Sequence, residues 1–258
     1  MVDQADVRLA VSLVREAADL AARMRAAGVA VREKTSVSDV VTDADHAAEA
    51  FVVETLRAER PDDGLLGEEG ASHDGTSGRR WVIDPVDGTY NFASGSDYWC
   101  SAIALTDGDE LLFGAVAHQL SHTVWVGGPE LPSTVNGEPI PVREDAELSG
   151  LSVASYLHPP GIVDDAAREP FLAAASGAAT LRMLGSGSMD LVGVATGRVG
   201  AWFQHSTPAW DWLPGAAIVA GVGVLAEQVE ARGLRWSVAG PPSAAGELVD
   251  RLSGTESA

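Results

Sequence analysis

The chain has 258 residues, enough to bury a sizeable core in one large domain or two small ones. It carries 37 acidic against 17 basic residues, and the net charge of −20 argues against non-specific binding to nucleic acid or to an anionic membrane. A single cysteine, Cys100, excludes an intramolecular disulfide; with no apolar leader and no run near the ~18 residues of a membrane span, a cytoplasmic protein is expected.

Residues 4 to 27 are rich in Ala, Leu, Arg and Glu, and Val7, Ala10, Val11, Val14, Ala18 and Ala21 recur at helical spacing. This predicts a long amphipathic helix, ended by Gly28. Val29 to Arg32 reads as a short strand, and Lys34 to Ser38 as a polar loop holding the chain's one lysine. Thr42 is placed to cap a helix over about Ala44 to Arg60, with Asp45 as its capping-box partner. Ala48, Phe51, Val52 and Leu56 form the apolar face of that helix. Pro61 to Gly64 is a turn. Leu65 and Leu66 then form a short buried strand running into Gly67-Glu68-Glu69-Gly70. The two glutamates read either as solvated loop charges or as ligands delivered by a strand end.

After a polar loop from Ala71 to Arg80, Trp81-Val82-Ile83 reads as the end of a buried strand that Pro85 stops. Asp84 sits at that end and Asp87 three residues on, across the turn. One reading is an Asp-Pro-x-Asp-Gly turn, made by residues that favour turns for their own reasons. The other is a cation site, since two carboxylates aimed at one point repel unless a cation lies between them. Gly88 permits a sharp turn, and Thr89 to Phe92 can open a helix whose first N–H groups suit a phosphate.

Asp97 to Leu105 and Glu110 to His118 read as paired strands, and His122 to Val126 as a third. Cys100 reads as core. His118 and His122 flank a hairpin turn without an HExxH pattern and read as structural. Asn136-Gly137 marks a tight turn.

Past residue 147 short strands alternate with glycine-punctuated helices, which divides the chain into an α+β half (1–147) and an α/β half (148–258) of one compact unit. Strands are expected at Leu151 to Ala154, Leu181 to Leu184, Gly200 to Gln204, Val222 to Ala226 and Leu234 to Val238. Helices are expected at Asp164 to Ala175, Met189 to Ala195 and Pro242 to Leu252. Gly185-Ser186-Gly187-Ser188 opens the second of these, as a cap or as a cradle for an anion or hydroxyl. Ser206 and Pro208 read as the N-cap and first-turn proline of a helix to about Ala220. Asp211 falls in its first turn, where it either offsets the helix dipole or serves a site between Trp210 and Trp212.

Lys34 through Asp45, Gly67-Glu68-Glu69, Asp84 through Thr89 and Trp210-Asp211, in this order, resemble the inositol monophosphatase family of magnesium-dependent, lithium-sensitive phosphatases. The resemblance runs from the first helix to the last strands. It implies a layered α-β-α-β-α sandwich, also found in fructose-1,6-bisphosphatases, and a homodimer. It implies two to three Mg²⁺ per subunit. The first would be held by Glu68, Asp84 and the Val86 carbonyl, the second by Asp84, Asp87 and Asp211, and a third, weaker ion by Glu68. Gly88 and Thr89 N–H groups would cradle the phosphate; Thr89 and Asp45 would position and deprotonate the attacking water. Lys34 matches the flap-loop lysine. Oxygen-only ligands suit Mg²⁺, and a two-ion clamp suits in-line phosphoryl transfer.

Ser186, Gly187, Gln204 and Asp211 fall on the substrate side. Inositol-specific relatives carry an acid where this chain has Gln204, seven positions before Asp211. The reading is therefore a phosphomonoesterase of a small polyol phosphate, myo-inositol monophosphate first. Histidinol phosphate, fructose 1,6-bisphosphate and 3′-phosphoadenosine 5′-phosphate are the alternatives, and an inactive metal- or phosphate-binding relative is the non-enzymatic one.

Overall fold

The computed structural model describes residues 2–36 and 39–255, without the side chains of residues 33–36 and 39. In chain order the elements are α1 (Gln4–Ala27), β1 (Val31–Ser36), β2 (Asp39–Thr42), α2 (Asp43–Glu59), β3 (Gly64–Gly67), β4 (Ser72–His73), β5 (Arg79–Asp87), α3 (Thr89–Ser94), β6 (Cys100–Asp107), β7 (Glu110–His118), β8 (Thr123–Gly128), β9 (Leu131–Val135) and β10 (Glu138–Pro139). A 3₁₀ turn at Leu148–Gly150 leads into β11 (Ser152–Ser155), α4 (Pro159–Ile162), α5 (Asp165–Ser176), β12 (Thr180–Arg182), α6 (Gly187–Thr196), β13 (Ala201–His205), α7 (Ala209–Ala220), β14 (Leu225–Ala231), β15 (Leu234–Gly240) and α8 (Pro242–Ser253).

Two sheets carry the fold. One has eight strands in the order β10-β9-β8-β7-β6-β5-β3-β4, and the other five in the order β12-β11-β13-β15-β14. Strand alternation sorts the side chains between layers. On β6, Ile103 and Leu105 face α1 and α2, where they join Leu13, Val14, Val52 and Leu56. Cys100 and Ala102 face the opposite way, toward Leu191 of α6 and Ile218 of α7. Trp202 of β13 packs on that same helical layer, stacked on Trp212 with ring centroids 5.7 Å apart. Ala201 and Phe203 face the outer helices α5 and α8. The result is an α-β-α-β-α sandwich with α6 and α7 between the sheets.

Local capping sets the helices that matter here. Asp3 caps α1 by accepting the Ala5 N–H, and Gly28 closes it at φ 94°. Thr42 and Asp45 form the expected capping box on α2.

Several elements differ from expectation. Lys34 lies on β1, because the segment read as a loop pairs with β2 in an antiparallel hairpin; its side chain is outside the described residues. Ser72–His73 and Asp39–Thr42 also pair as strands, where the sequence reading placed none. β5 does not stop at Pro85. It runs on to Asp87, paired with β6 on both sides of an irregularity between Asp84 and Asp87. A proline is tolerated where the ladder is already broken, since no donor is then lost. Ser206 does not cap α7; it adopts φ 54°, and Pro208 takes the cap position without a side-chain bond. The strand read at Val222 to Ala226 starts later, at Leu225.

Candidate active site

β3 runs parallel to β5, with Gly67 opposite Ile83. The two strands therefore end side by side, and the Glu68 N–H donates to the Ile83 carbonyl at 3.2 Å. This pairing brings Glu68 next to Asp84. Asp211 arrives from the first turn of α7, whose start is fixed by the Trp202–Trp212 stack. Oxygens of Asp84, Asp87 and Asp211 lie within 4.8 Å of one another.

Asp84 and Asp87 are buried. Burial pushes the Asp84 carboxyl well above the usual range, and the charges of Glu68, Asp87 and Asp211 push it further. One of its oxygens accepts the Val86 N–H at 3.1 Å. The other, Oδ2, is buried with no hydrogen-bond partner among the described residues. An acceptor-only atom left this way costs about 1–3 kcal/mol or more unless something positive meets it. A cation between Asp84, Asp87 and Asp211 relieves both the orphaned oxygen and the mutual repulsion. The donors are all oxygen, which suits a hard ion such as Mg²⁺ or Ca²⁺. The residues present thus fit a divalent metal.

Asp87 is held differently. Burial raises its carboxyl, while N–H groups from the start of α6 lower it. Ser188 N donates to Oδ2 at 2.6 Å and Gly187 N to Oδ1 at 3.2 Å. Ser186 Oγ accepts the Met189 N–H as the α6 cap. Ser186 and Gly187, expected on the substrate side, stand at the start of α6, where Ser186 caps the helix and the Gly187 N–H goes to Asp87. Cys100 Sγ, buried 3.9 Å from Asp87 Oδ2, has its thiol pushed up by burial and by Asp87, so it stays a neutral core group.

Gly88 caps α3 at φ 93°, in the left-handed region. A Cβ there would meet the carbonyl oxygens of Gly185 and Tyr98, each at 3.1 Å. The Thr89 hydroxyl that follows reaches Asp45 Oδ1 at 3.1 Å and the Val86 carbonyl at 3.0 Å. The other Asp45 oxygen, Oδ2, accepts the Thr42 N–H at 3.0 Å and the Thr42 hydroxyl at 2.5 Å. Asp45 thus meets the helix cap with one oxygen and Thr89 with the other. Burial raises its carboxyl; the Thr42 bonds work against this. Gln204 is the penultimate residue of β13, half-buried on the Trp202 side of the strand that leads to Asp211.

Three supporting residues were missed by the sequence reading. Asn91 Nδ2 donates to the Leu184 carbonyl at 2.7 Å and to that of Tyr98 at 2.9 Å, tying the α3 turn to the segment before α6. Asp190, buried on α6, accepts the Tyr98 hydroxyl at 2.7 Å, and burial pushes its carboxyl up to about 8. Glu49 of α2 is buried and accepts two N–H groups of the turn after β3. A spacing of one helical turn from Asp45 was the available signal for Glu49; nothing local marked the other two.

Residues 3–250 match the inositol monophosphatase family. The chain belongs to that family. Inositol monophosphatases are phosphoric monoester hydrolases and generally depend on metal, in keeping with the acidic cluster. The inositol-1-monophosphatase of Synechocystis sp. is 31% identical over 191 residues, 73% of this chain and 67% of that one. A Streptomyces griseus protein named glucose-1-phosphate thymidylyltransferase is 32% identical over 98% of this chain and 96% of its own. The solved structure of Mycobacterium tuberculosis SuhB superimposes with a TM-score of 0.79 at 29% identity, covering 99% of this chain and 100% of that one.

Proposed function

We propose that this inositol monophosphatase relative is a Mg²⁺-dependent phosphomonoesterase of small polyol phosphates, with myo-inositol monophosphate the first substrate to try. The observation that carries the reading is the convergence of Asp84, Asp87 and Asp211 around the unpartnered Asp84 Oδ2. A chain of net charge −20 repels a phosphate ester unless positive charge is held where the ester binds. Glu68, Asp84, Asp87, Asp211 and the Val86 carbonyl would hold two to three Mg²⁺. When bound, Mg²⁺ supplies the positive charge that acidifies the attacking water and offsets charge on the leaving oxygen.

The protein's own groups do the rest. Gly88 and Thr89 present N–H groups at the start of α3 toward the phosphoryl oxygens. The Thr89 hydroxyl accepts the water's proton as it passes its own to Asp45 Oδ1. The water oxygen bonds to phosphorus as the ester P–O bond breaks, and the departing alkoxide oxygen takes a proton from solvent to leave as the alcohol. Burial favours this transfer, because it makes the Asp45 carboxylate more basic than an exposed one. Gln204 offers a neutral donor and acceptor to substrate hydroxyls, which suits an uncharged polyol better than an amine. A small-molecule ester, cytoplasmic location and a homodimer complete the reading.

The thymidylyltransferase name stays with the Streptomyces griseus protein, because phosphoester hydrolysis already accounts for the acidic cluster and the Thr89–Asp45 pair. The test is phosphate release from inositol, sugar, nucleotide and histidinol phosphates, with Mg²⁺ and with chelator. Release from none of them in Mg²⁺ would refute the reading.

A further inference from the structure

α2 carries two buried carboxylates one turn apart, and only the first has a part in the chemistry above. Glu49 Oε2 accepts the Glu69 N–H at 2.9 Å, and Oε1 accepts the Ala71 N–H at 2.9 Å. These donors bracket the turn that carries Glu68 on from β3. The same turn is closed by the Gly67 N–H, donated to the Ala71 carbonyl at 2.7 Å. Glu68 is therefore held by β5 from one side, through Ile83, and by α2 from the other.

Gly67 is part of the device. A Cβ at this position would stand 2.3 Å from Glu49 Oε2 and 2.6 Å from its carboxyl carbon. Gly67 is not among the glycines with positive φ, so what it supplies is room, not an unusual backbone conformation. Two converging N–H donors call for two acceptors and no donor. A carboxylate supplies that, whereas an amide would set its NH₂ against one of them. Placing a buried carboxylate beside Glu69 adds repulsion that a purely structural loop anchor has no need of.

We propose that Glu49 is a positioning residue for the Glu68 turn: by gripping the Glu69 and Ala71 N–H groups, it fixes Glu68 against Asp84 and thereby sets the affinity of the acidic cluster for a divalent cation. The proposal rests on the metal reading above. Asp45 and Glu49 share one face of α2. One rigid helix then registers both the water-orienting pair and the cation-holding cluster, and a shift of α2 disturbs both together.

Calorimetric titration of the substrate-free protein with Mg²⁺ tests this, alongside the Mg²⁺ dependence of phosphate release. Glu49→Gln keeps the side chain's size and leaves one N–H facing an NH₂. It is expected to raise the Mg²⁺ Kd by about 10–100-fold, the usual effect of losing support behind a ligand, with the half-saturating Mg²⁺ concentration rising in step. At saturating Mg²⁺, kcat should stay within about threefold of wild type, because no group touching substrate has changed. Gly67→Ala, which leaves Glu49 intact but drives its carboxylate out, should give the same split. A Mg²⁺ Kd unchanged within about twofold in both variants, even with a lowered Tm, overturns the proposal and leaves Glu49 a plain loop anchor. So does a fall in kcat at unchanged Mg²⁺ Kd. A wild-type protein that binds no Mg²⁺ is a different result: it removes the metal reading itself, and this proposal with it.

Discussion

Asp45→Asn separates a helix cap from a catalytic base, because the two tasks fall on different oxygens of one side chain. Asp45 Oδ2 accepts from Thr42 N and Thr42 Oγ1, at 3.0 and 2.5 Å. The amide introduced by the substitution can place its carbonyl oxygen there and keep both bonds. Its NH₂ then faces Thr89 Oγ1, which lies 3.1 Å from Asp45 Oδ1. The hydroxyl can accept that N–H and still donate to the Val86 carbonyl, 3.0 Å away. Every hydrogen bond survives in count, so the cap should lose no more than about 1 kcal/mol. What vanishes is the acceptor for a proton leaving Thr89. A lost general base is worth about 10²–10⁴ in rate. The predicted result is therefore a Tm within about 4 °C of wild type, an unchanged Mg²⁺ Kd, and a kcat lowered by at least about 100-fold. Thr89→Ala should fall in the same range, and the double variant should be little worse than either single one, since the residues act as a unit. Thermal melts, Mg²⁺ calorimetry and steady-state phosphate release on the three variants are the assays. Additive losses, or a lowered Tm at unchanged kcat, would reduce Asp45 to a cap.

The geometry around Asp45 and its neighbours fixes three more outcomes. Asp84→Asn relieves the repulsion among Asp84, Asp87 and Asp211, so the metal-free variant should melt no lower than the metal-free wild type while losing its Mg²⁺-induced rise in Tm; a retained Mg²⁺ shift would contradict the cation site. Gly88→Ala puts a side chain at φ 93°, with its Cβ 3.1 Å from two carbonyl oxygens, and should cost at least about 1–2 kcal/mol in denaturant unfolding; an equally stable Gly88→Ala variant would show that the α3 turn is not constrained as described. Asp190, pushed up to about 8 in the fold, binds a proton that the unfolded chain has already released above about pH 4, so folding stability should fall as pH rises between those values, by up to about 1.4 kcal/mol per pH unit. Asp190→Asn keeps an acceptor for the Tyr98 hydroxyl and should flatten that slope in chelator; parallel pH profiles for the two proteins would refute the assignment.

Much of the site was legible in the chain because its parts are built by local rules. The capping box of Thr42 and Asp45 spans one helical turn. Asp84, Pro85, Asp87 and Gly88 announce a carboxylate-bearing turn through backbone preferences that act over a few residues. Trp210-Asp211 in a helix's first turn is likewise a local pattern. These segments could be read singly, and their order along the chain carried the family resemblance.

Tertiary structure decided how the pieces meet. Glu68 was ambiguous because its neighbours were glycines and another glutamate; the parallel pairing of β3 with β5 put it beside Asp84, and no local preference encodes which strands pair. The bulge that carries β5 through Pro85 was hidden for the same reason, since proline's missing donor matters only if the ladder needs that donor. That the start of α6 gives the Gly187 and Ser188 N–H groups to Asp87, about a hundred residues away, is likewise invisible in the local Gly-Ser pattern. Glu49 was one more charge on an amphipathic helix until the fold delivered two N–H groups to it. Capping and turn formation follow from backbone conformation within a few residues, whereas the repulsion of buried carboxylates and the partners that offset it exist only once distant segments share one low-dielectric site.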